Sequence, residues 1–143
     1  MVIEVEKMFE AIENKVQSYQ WLAPIFLRIG VGVVFFLFGV DKFFHVQNWM
    51  AYIPAWLPPY VPMDLTTFMY LQGVIEAVLG AFLILGFWSR TSGFFCTIIL
   101  FGITVTMGYN EISIRDFGLF LGALALSLRE QMKWSIDGWM KKS

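Results

Sequence analysis

The chain has 143 residues, of which 58% are hydrophobic and 15% are charged, whereas about a quarter of an ordinary soluble domain is charged. With a mean hydropathy of +0.66, it has too little polar surface to cover itself in water, so we expect lipid to be its solvent. The net charge of −1 argues against a nucleic-acid partner. The single cysteine, Cys96, excludes an internal disulfide or a cysteine-built metal site, and the single histidine, His45, excludes haem ligation by two histidines of this chain.

Residues 1–20 predict an amphipathic helix that lies on the membrane surface. Hydrophobic residues recur there at helical spacing, namely Val5, Met8, Phe9, Ile12, Val16 and Tyr19. The stretch 129–143 has the same character, with one apolar face made by Leu128, Met132, Ile136 and Trp139. Residues 1–20 contain several acidic residues, whereas a secretory signal begins with a basic region, so we do not expect them to form a secretory signal. In a second interpretation, both ends are polar tails that fold only against a partner protein.

Four apolar segments lie between these ends, over residues 21–40, 65–88, 91–109 and 112–128. A transmembrane helix needs about 20 residues, so the first three can span a bilayer, and the fourth spans only with its flanks. The fourth segment has Arg115 and Asp116 near its start, and its alternative is a buried or interfacial helix. We predict an all-α integral membrane protein of one domain, residues 1–143. In it, a four-helix bundle over residues 21–128 is flanked by amphipathic N- and C-terminal interfacial helices.

The distribution of Lys and Arg predicts the orientation of this bundle. With four spans, both termini and the loop between the second and third spans share one side of the membrane. That side carries seven basic residues, namely Lys7, Lys15, Arg90, Arg129, Lys133, Lys141 and Lys142. The opposite side carries two, Lys42 and Arg115. We therefore predict that both termini are cytoplasmic.

The outer connection, residues 41–64, interleaves aromatic residues with prolines that prevent a continuous helix. Because Trp and Tyr favour the headgroup level of a bilayer, we expect this segment to lie over the outer mouth of the bundle as a lid. The candidate lid residues are His45, Trp49 and Trp56. The alternative is an aromatic anchor that contacts no ligand.

Charged residues in or at the ends of the spans are the candidate ligand-binding or proton-relay residues, namely Arg28, Lys42, Glu76, Arg115 and Asp116. A charge at the bilayer centre costs about 2.5–3.5 kcal/mol on insertion scales, and such residues usually face the bundle interior. Helical spacing predicts three faces that combine charges with small residues, namely Arg28–Gly32–Phe35–Gly39–Lys42, Gly73–Glu76–Gly80–Leu83 and Arg115–Gly118–Gly122–Ala125. Small residues allow helices to approach closely.

The depths of these charges in the bilayer predict which of them pair. From the helical rise, Arg28 lies about 10 Å and Glu76 about 16 Å from the cytoplasmic side, so we predict an Arg28–Glu76 pair near the middle. We predict Lys42 with Asp116 as a second pair at the outer end. In the alternative interpretation, these charges only fix the register of the helices. Cys96 is expected to be a packing residue.

The same residues resemble the DoxX family of small four-helix membrane proteins, over residues 24–128. The matching residues are Leu27, Arg28, Gly32, Phe36, Gly39, Lys42, Gly73, Glu76, Gly80, Gly86, Arg90, Arg115, Asp116, Gly118 and Gly122. The resemblance implies a four-helix bundle and an association with membrane oxidoreduction. Some relatives are linked to thiosulfate:quinone oxidoreduction or to oxidative-stress assemblies.

We therefore expect an accessory or quinone-interacting subunit of a membrane oxidoreductase complex, in the cell membrane of a prokaryote. A quinone is the one small molecule expected, and no metal site, flavin site or thiol pair is predicted. The expected partners are the lipid bilayer and either other proteins or further copies of this chain. The alternatives are a non-enzymatic structural or assembly subunit and a small-molecule carrier.

Overall fold

The structure, a computed structural model, describes residues 2–129 and 135–140, and every regular element in these residues is helical. In chain order the α-helices are α1 (Val2–Ser18), α2 (Ala23–Phe44), α3 (Val46–Met50), α4 (Leu65–Leu85), α5 (Ser89–Met107), α6 (Glu111–Leu128) and α7 (Ile136–Met140). Single 3₁₀ turns occur at Gln20–Leu22 and Pro58–Tyr60. Met132, part of the predicted C-terminal interfacial helix, lies outside the described residues.

Local chemistry fixes the two ends of α4. Its N-terminus is capped by Asp64, whose carboxylate accepts hydrogen bonds from the backbone N–H groups of Thr66 at 2.8 Å and Thr67 at 3.2 Å. Hydrogen bonds from the Thr67 hydroxyl and then from these N–H groups lower the pKa of Asp64. Its C-terminus is set by Gly86, whose φ of 72° is left-handed. The predicted apolar segment 65–88 is therefore a helix only as far as Leu85.

Among the described residues, three helices are long and apolar enough to cross a membrane, namely Gln20–Phe44, Leu65–Leu85 and Ser89–Met107. The fourth predicted span coincides with α6, which also carries Glu111, Arg115 and Asp116. That α6 crosses the bilayer, and that the chain forms a bundle of four spanning helices, both remain predictions. The apolar residues of α1, such as Phe9 and Ile12, are exposed, and the position of α1 on the membrane surface also remains a prediction.

The long helices pack in two pairs, α2 against α4 and α5 against α6, and these pairs meet through α4 with α5 and α2 with α6. Where α2 and α4 meet, their backbones approach each other closely. A Cβ atom added to Gly39 would lie 2.4 Å from the Ala77 nitrogen, and one added to Gly80 would lie 2.3 Å from the Phe36 nitrogen. Between the pairs lies an apolar core made of Val31, Phe35, Leu83, Cys96, Leu100, Ala123 and Leu126. This core separates two polar regions, one at each end of the helices.

The predicted topology can be tested with two matched asparagines that are both exposed, Asn14 in α1 and Asn48 in α3. In a Cys96→Ala background, we expect Asn48→Cys to react with a membrane-impermeant maleimide added to intact cells, because it lies on the predicted outer side. Asn14→Cys should react only after the cells are opened. Labelling of Asn14→Cys in intact cells, or its absence at Asn48→Cys, would contradict the orientation.

Candidate functional site

A buried ion pair joins α2 to α4 in the half of the bundle near the end of α2. The ammonium of Lys42 donates to the carboxylate of Glu76, and the two residues are only 3% and 4% exposed. The amide of Gln72 donates to the other oxygen of Glu76 at 3.0 Å. The α2 and α4 faces predicted from helical spacing are buried throughout, which is why both charges point into the protein.

The predicted lid contacts this pair through one of its three candidate residues. The Trp49 ring lies over Lys42, with its centroid 4.1 Å from Nζ, an arrangement in which the ring face attracts the cation. The indole N–H of Trp49 donates to Asp41 at 2.8 Å, and His45 Nδ1 lies 2.7 Å from the other oxygen of Asp41. Trp56 instead packs beside Tyr60 and is exposed. Trp49 thus covers the Lys42–Glu76 pair, while His45 only helps to hold Asp41.

Asp116 of α6 approaches the same pair from the other helix pair. It is buried and close enough to Glu76 to repel it electrostatically. The guanidinium of Arg115 binds Asp116 at 2.8 Å and lies over the Phe38 ring, 5.1 Å from its centroid. We call Lys42, Gln72, Glu76, Arg115 and Asp116 the polar cluster. It gathers four of the five candidate charged residues of the sequence.

The predicted pairing of these charges is wrong in both cases. Glu76 is bound by Lys42 and not by Arg28, and Asp116 is bound by Arg115 and not by Lys42. The reason is the register of the antiparallel helices, in which Gly39 of α2 contacts Gly73 and Ala77 of α4. Glu76 therefore lies one helical turn from Lys42 but about three turns, or about 16 Å, from Arg28. The tilt of side chains toward the N-terminus of their own helix also brings Lys42 and Glu76 toward each other.

Arg28 lies at the opposite end of the bundle, where it is also buried. Its guanidinium packs on the turn after α4, since a Cβ atom added to Gly86 would lie 1.8 Å from Nη1. The carboxylate of Asp137 in α7 attracts it electrostatically. The fifth candidate residue therefore belongs to a separate polar region and not to the polar cluster.

The buried face of α6 also differs from the predicted one. The predicted face contained Arg115, Gly118 and Gly122, but the Arg115 side chain is 50% exposed and Gly118 faces open space. The buried residues of α6 are Ser113, Asp116, Ala123 and Leu126. Among the described residues, Gly118 meets no other helix and Gly122 meets only side chains of α2, so the Gly118–Gly122 step makes no backbone contact between helices there. Asp116 rather than Arg115 points inward.

A comparison with known families identifies the chain. A family model described as DoxX matches residues 23–108, which is more than half of the chain. The chain belongs to the DoxX family. No curated protein and no solved structure matches it. The DoxX match includes Lys42, Gln72 and Glu76 and ends before α6, so Arg115 and Asp116 lie beyond the matched region.

Two residues of this DoxX site were missed by the sequence reasoning. Gln72 precedes Glu76 by four residues and so shares its helix face, a spacing that could have predicted the contact. Ser113 precedes Asp116 by one helical turn, and its buried hydroxyl makes no hydrogen bond within residues 2–129 and 135–140. Ser113 also lines a depression of about 340 Å³ between the end of α5 and the start of α6, together with Thr104, Gly108, Tyr109, Ile114 and Phe117. Within the described chain, no three His, Cys, Asp or Glu residues form a group that could hold a metal ion.

Cys96 lies in the apolar core of this DoxX protein, fully buried and close enough to Glu76 to interact electrostatically. We expect Cys96→Ala to lower the free energy of unfolding by about 1 kcal/mol, because one buried sulfur atom is removed. With no second thiol in the chain, the molecules that co-purify with the protein should be unchanged. Thermal unfolding and analysis of the purified protein test both expectations. Loss of a co-purifying molecule at normal stability would reveal thiol chemistry at Cys96.

Proposed function

We propose that this DoxX-family protein is a quinone-interacting subunit of a membrane oxidoreductase complex. The observation that carries the proposal is the buried Lys42–Glu76 pair with Asp116 beside it. Ionisable groups inside a membrane protein are costly and usually mark a ligand or proton pathway. Because Lys42 and Glu76 lie on helices that are long and apolar enough to cross a membrane, a lipid-soluble ligand is favoured, and the family's association with membrane oxidoreduction favours a quinone.

A quinone supplies a lipid-soluble acceptor of two electrons and two protons. In our proposal, the ammonium of Lys42 donates a hydrogen bond to a carbonyl oxygen of the ring, and Glu76 exchanges protons with it. Gln72 holds the Glu76 carboxylate in position at 3.0 Å, and Trp49 keeps water away from Lys42. The electrons come from a redox group on a partner protein, because the one cysteine and one histidine of this chain form neither a thiol pair nor a two-histidine haem site.

The depression between the end of α5 and the start of α6 supports an approach route for the ring. Its volume of about 340 Å³ lies at the lower end of the range of small-molecule sites, roughly 300–1,000 Å³. The exposed Tyr109 and Phe117 place aromatic rings at its edge, and Ser113 gives it a hydroxyl. Since Ser113 and Asp116 share the buried face of α6, a ring in the depression lies about one helical turn from the polar cluster.

A second candidate function is a non-enzymatic assembly subunit. It is favoured by α1, whose apolar residues, including Met8, Phe9 and Ile12, are exposed within the chain. In that case, α1 docks on another subunit and the Lys42–Glu76 pair only fixes the register of α2 and α4.

The two functions are separated by purifying the protein in a mild detergent from quinone-containing membranes. Organic extraction and chromatography then measure the bound quinone, and mass spectrometry identifies co-purifying proteins. The decisive variant is Lys42→Met/Glu76→Gln, which removes both buried charges together, and the matched control is Glu111→Gln, an exposed glutamate at the start of α6.

We expect the wild type and Glu111→Gln to carry a stoichiometric amount of quinone. In the double variant, the amount of bound quinone should fall at least about tenfold, which corresponds to about 1.4 kcal/mol of binding energy. The double variant should still fold. Partner proteins without quinone in the wild type would overturn the quinone proposal and favour the assembly subunit. Equal quinone in all three proteins would show that the polar cluster is not the binding site.

A further inference from the structure

The start of α5 is capped by a carboxylate from a distant part of the chain. Trp88, the residue that precedes α5, has a left-handed φ of 47°, and its own side chain makes no capping hydrogen bond. Instead, the two oxygens of Asp137 accept hydrogen bonds from the backbone N–H groups of Trp88 at 2.8 Å and Ser89 at 2.9 Å. The N–H of Asp137 in turn donates to the carbonyl of Gly86 at 3.1 Å.

Two further groups surround this carboxylate. The guanidinium of Arg28, a residue only 4% exposed, packs against Gly86 and is attracted by Asp137. The hydroxyl of Ser89 is buried and makes no hydrogen bond within the described residues. A helix N-terminus next to an arginine is the combination that binds phosphate and carboxylate groups in proteins. The anion that these groups hold here belongs to the chain itself.

The segment that supplies the carboxylate is short. Within the described chain, α7 has only five residues and packs extensively against none of the long helices. Its Trp139 is 71% exposed. Hydrogen bonds at Trp88, Ser89 and Gly86 join α7 to the ends of α4 and α5.

We propose that Arg28 and the N-terminus of α5 form an anion-binding site that Asp137 fills as an internal ligand, so that the segment Ser135–Met140 is a displaceable plug. An external phosphate group competes with Asp137 for the same N–H groups, and its binding releases the segment. The phosphate belongs either to a free anion or to a lipid headgroup, which share this chemistry. Because Asp137 is part of the same chain, its effective concentration at the site is high. The intact protein therefore binds an external anion weakly, and the plug must be removed to reveal the site.

The test measures the melting temperature of the detergent-solubilised full chain by tryptophan fluorescence, with inorganic phosphate against chloride at equal ionic strength. For Asp137→Ala, we expect a lower Tm in chloride and a phosphate-specific rise of about 4 °C. The wild type should show little rise, because its site is filled. The matched control is Asp64→Ala, which removes a carboxylate that also caps a helix through two N–H groups. It should lose stability without any phosphate-specific rise, because the structure places no buried arginine beside that carboxylate.

If Asp137→Ala does not fold, Asp137→Asn takes its place in the test, because asparagine keeps the shape of the side chain. Adding Arg28→Gln to either variant should abolish the phosphate response. A response of Asp137→Ala to phosphatidic acid, with none to inorganic phosphate or to diacylglycerol, would assign the site to a lipid headgroup. The proposal is overturned if neither anion raises its Tm, if the wild type responds equally, or if the response survives Arg28→Gln.

Discussion

Glu76→Gln should lower the free energy of unfolding by about 3–5 kcal/mol, the usual cost of removing one partner of a buried ion pair. The variant keeps the ammonium of Lys42 buried between α2 and α4 without the carboxylate that neutralises it. The Trp49 ring remains over Lys42, but a cation–π contact contributes only about 0.5–2 kcal/mol. Unfolding of the purified protein in detergent, followed by tryptophan fluorescence, measures the loss.

The double variant Lys42→Met/Glu76→Gln should recover most of that stability, because no uncompensated charge remains in the protein interior. Methionine nearly matches the length of the lysine side chain, and the new amide can still hydrogen-bond with Gln72. Glu111→Gln, at an exposed position, should change stability by less than about 0.5 kcal/mol. A double variant no more stable than Glu76→Gln alone would show that the pair is not the main interaction of these two residues.

Hydropathy and helical spacing predicted the main features of the fold, because lipid imposes strong rules on a spanning helix. The three spans that the structure supports correspond to the first three apolar segments. The buried faces of α2 and α4 are also those predicted, from Arg28 to Lys42 and from Gly73 to Leu83. Buried charges and closely packed glycines both lie where two helices meet. The two sequence signals therefore fall on the same face of each helix.

The contacts between charges could not be predicted from depth alone. The depth estimate did not give the register of α2 against α4, and this register places Glu76 one helical turn from Lys42 and far from Arg28. On α6, the charge on Arg115 suggested an inward face, although the neighbouring Asp116 is the buried one. A long arginine side chain can reach a polar partner from an exposed position, so its charge does not define the face.

The role of Asp137 could not be predicted either, because it depends on tertiary structure. Asp137 lies 48 residues from Ser89 in sequence, and no local spacing relates the two. The irregular turn at Trp88 offered no capping side chain of its own, which indicates only that a cap must come from elsewhere. That Asp137 supplies this cap is determined by the tertiary structure and not by the sequence near Trp88.

Gly39→Ala should destabilise the protein by about 3 kcal/mol, at the upper end of the usual cost of overpacking. The added Cβ would lie 2.4 Å from the Ala77 nitrogen and 2.6 Å from the Gly73 carbonyl oxygen. Both are backbone atoms, so no side chain can rotate away, and α2 and α4 must separate. Their separation also moves Lys42 from Glu76, which adds the loss of an ion pair that joins the same two helices.

Gly30→Ala is the matched control, because Gly30 belongs to the same helix and a Cβ there meets nothing within 4 Å. Alanine has a higher helix propensity than glycine by about 1 kcal/mol, so this variant should be as stable as the wild type or more stable. The two substitutions make the same chemical change in α2 and are expected to have opposite signs. Parallel unfolding curves in detergent measure the difference, and equal stabilities would mean that the backbones of α2 and α4 are not in contact at Gly39.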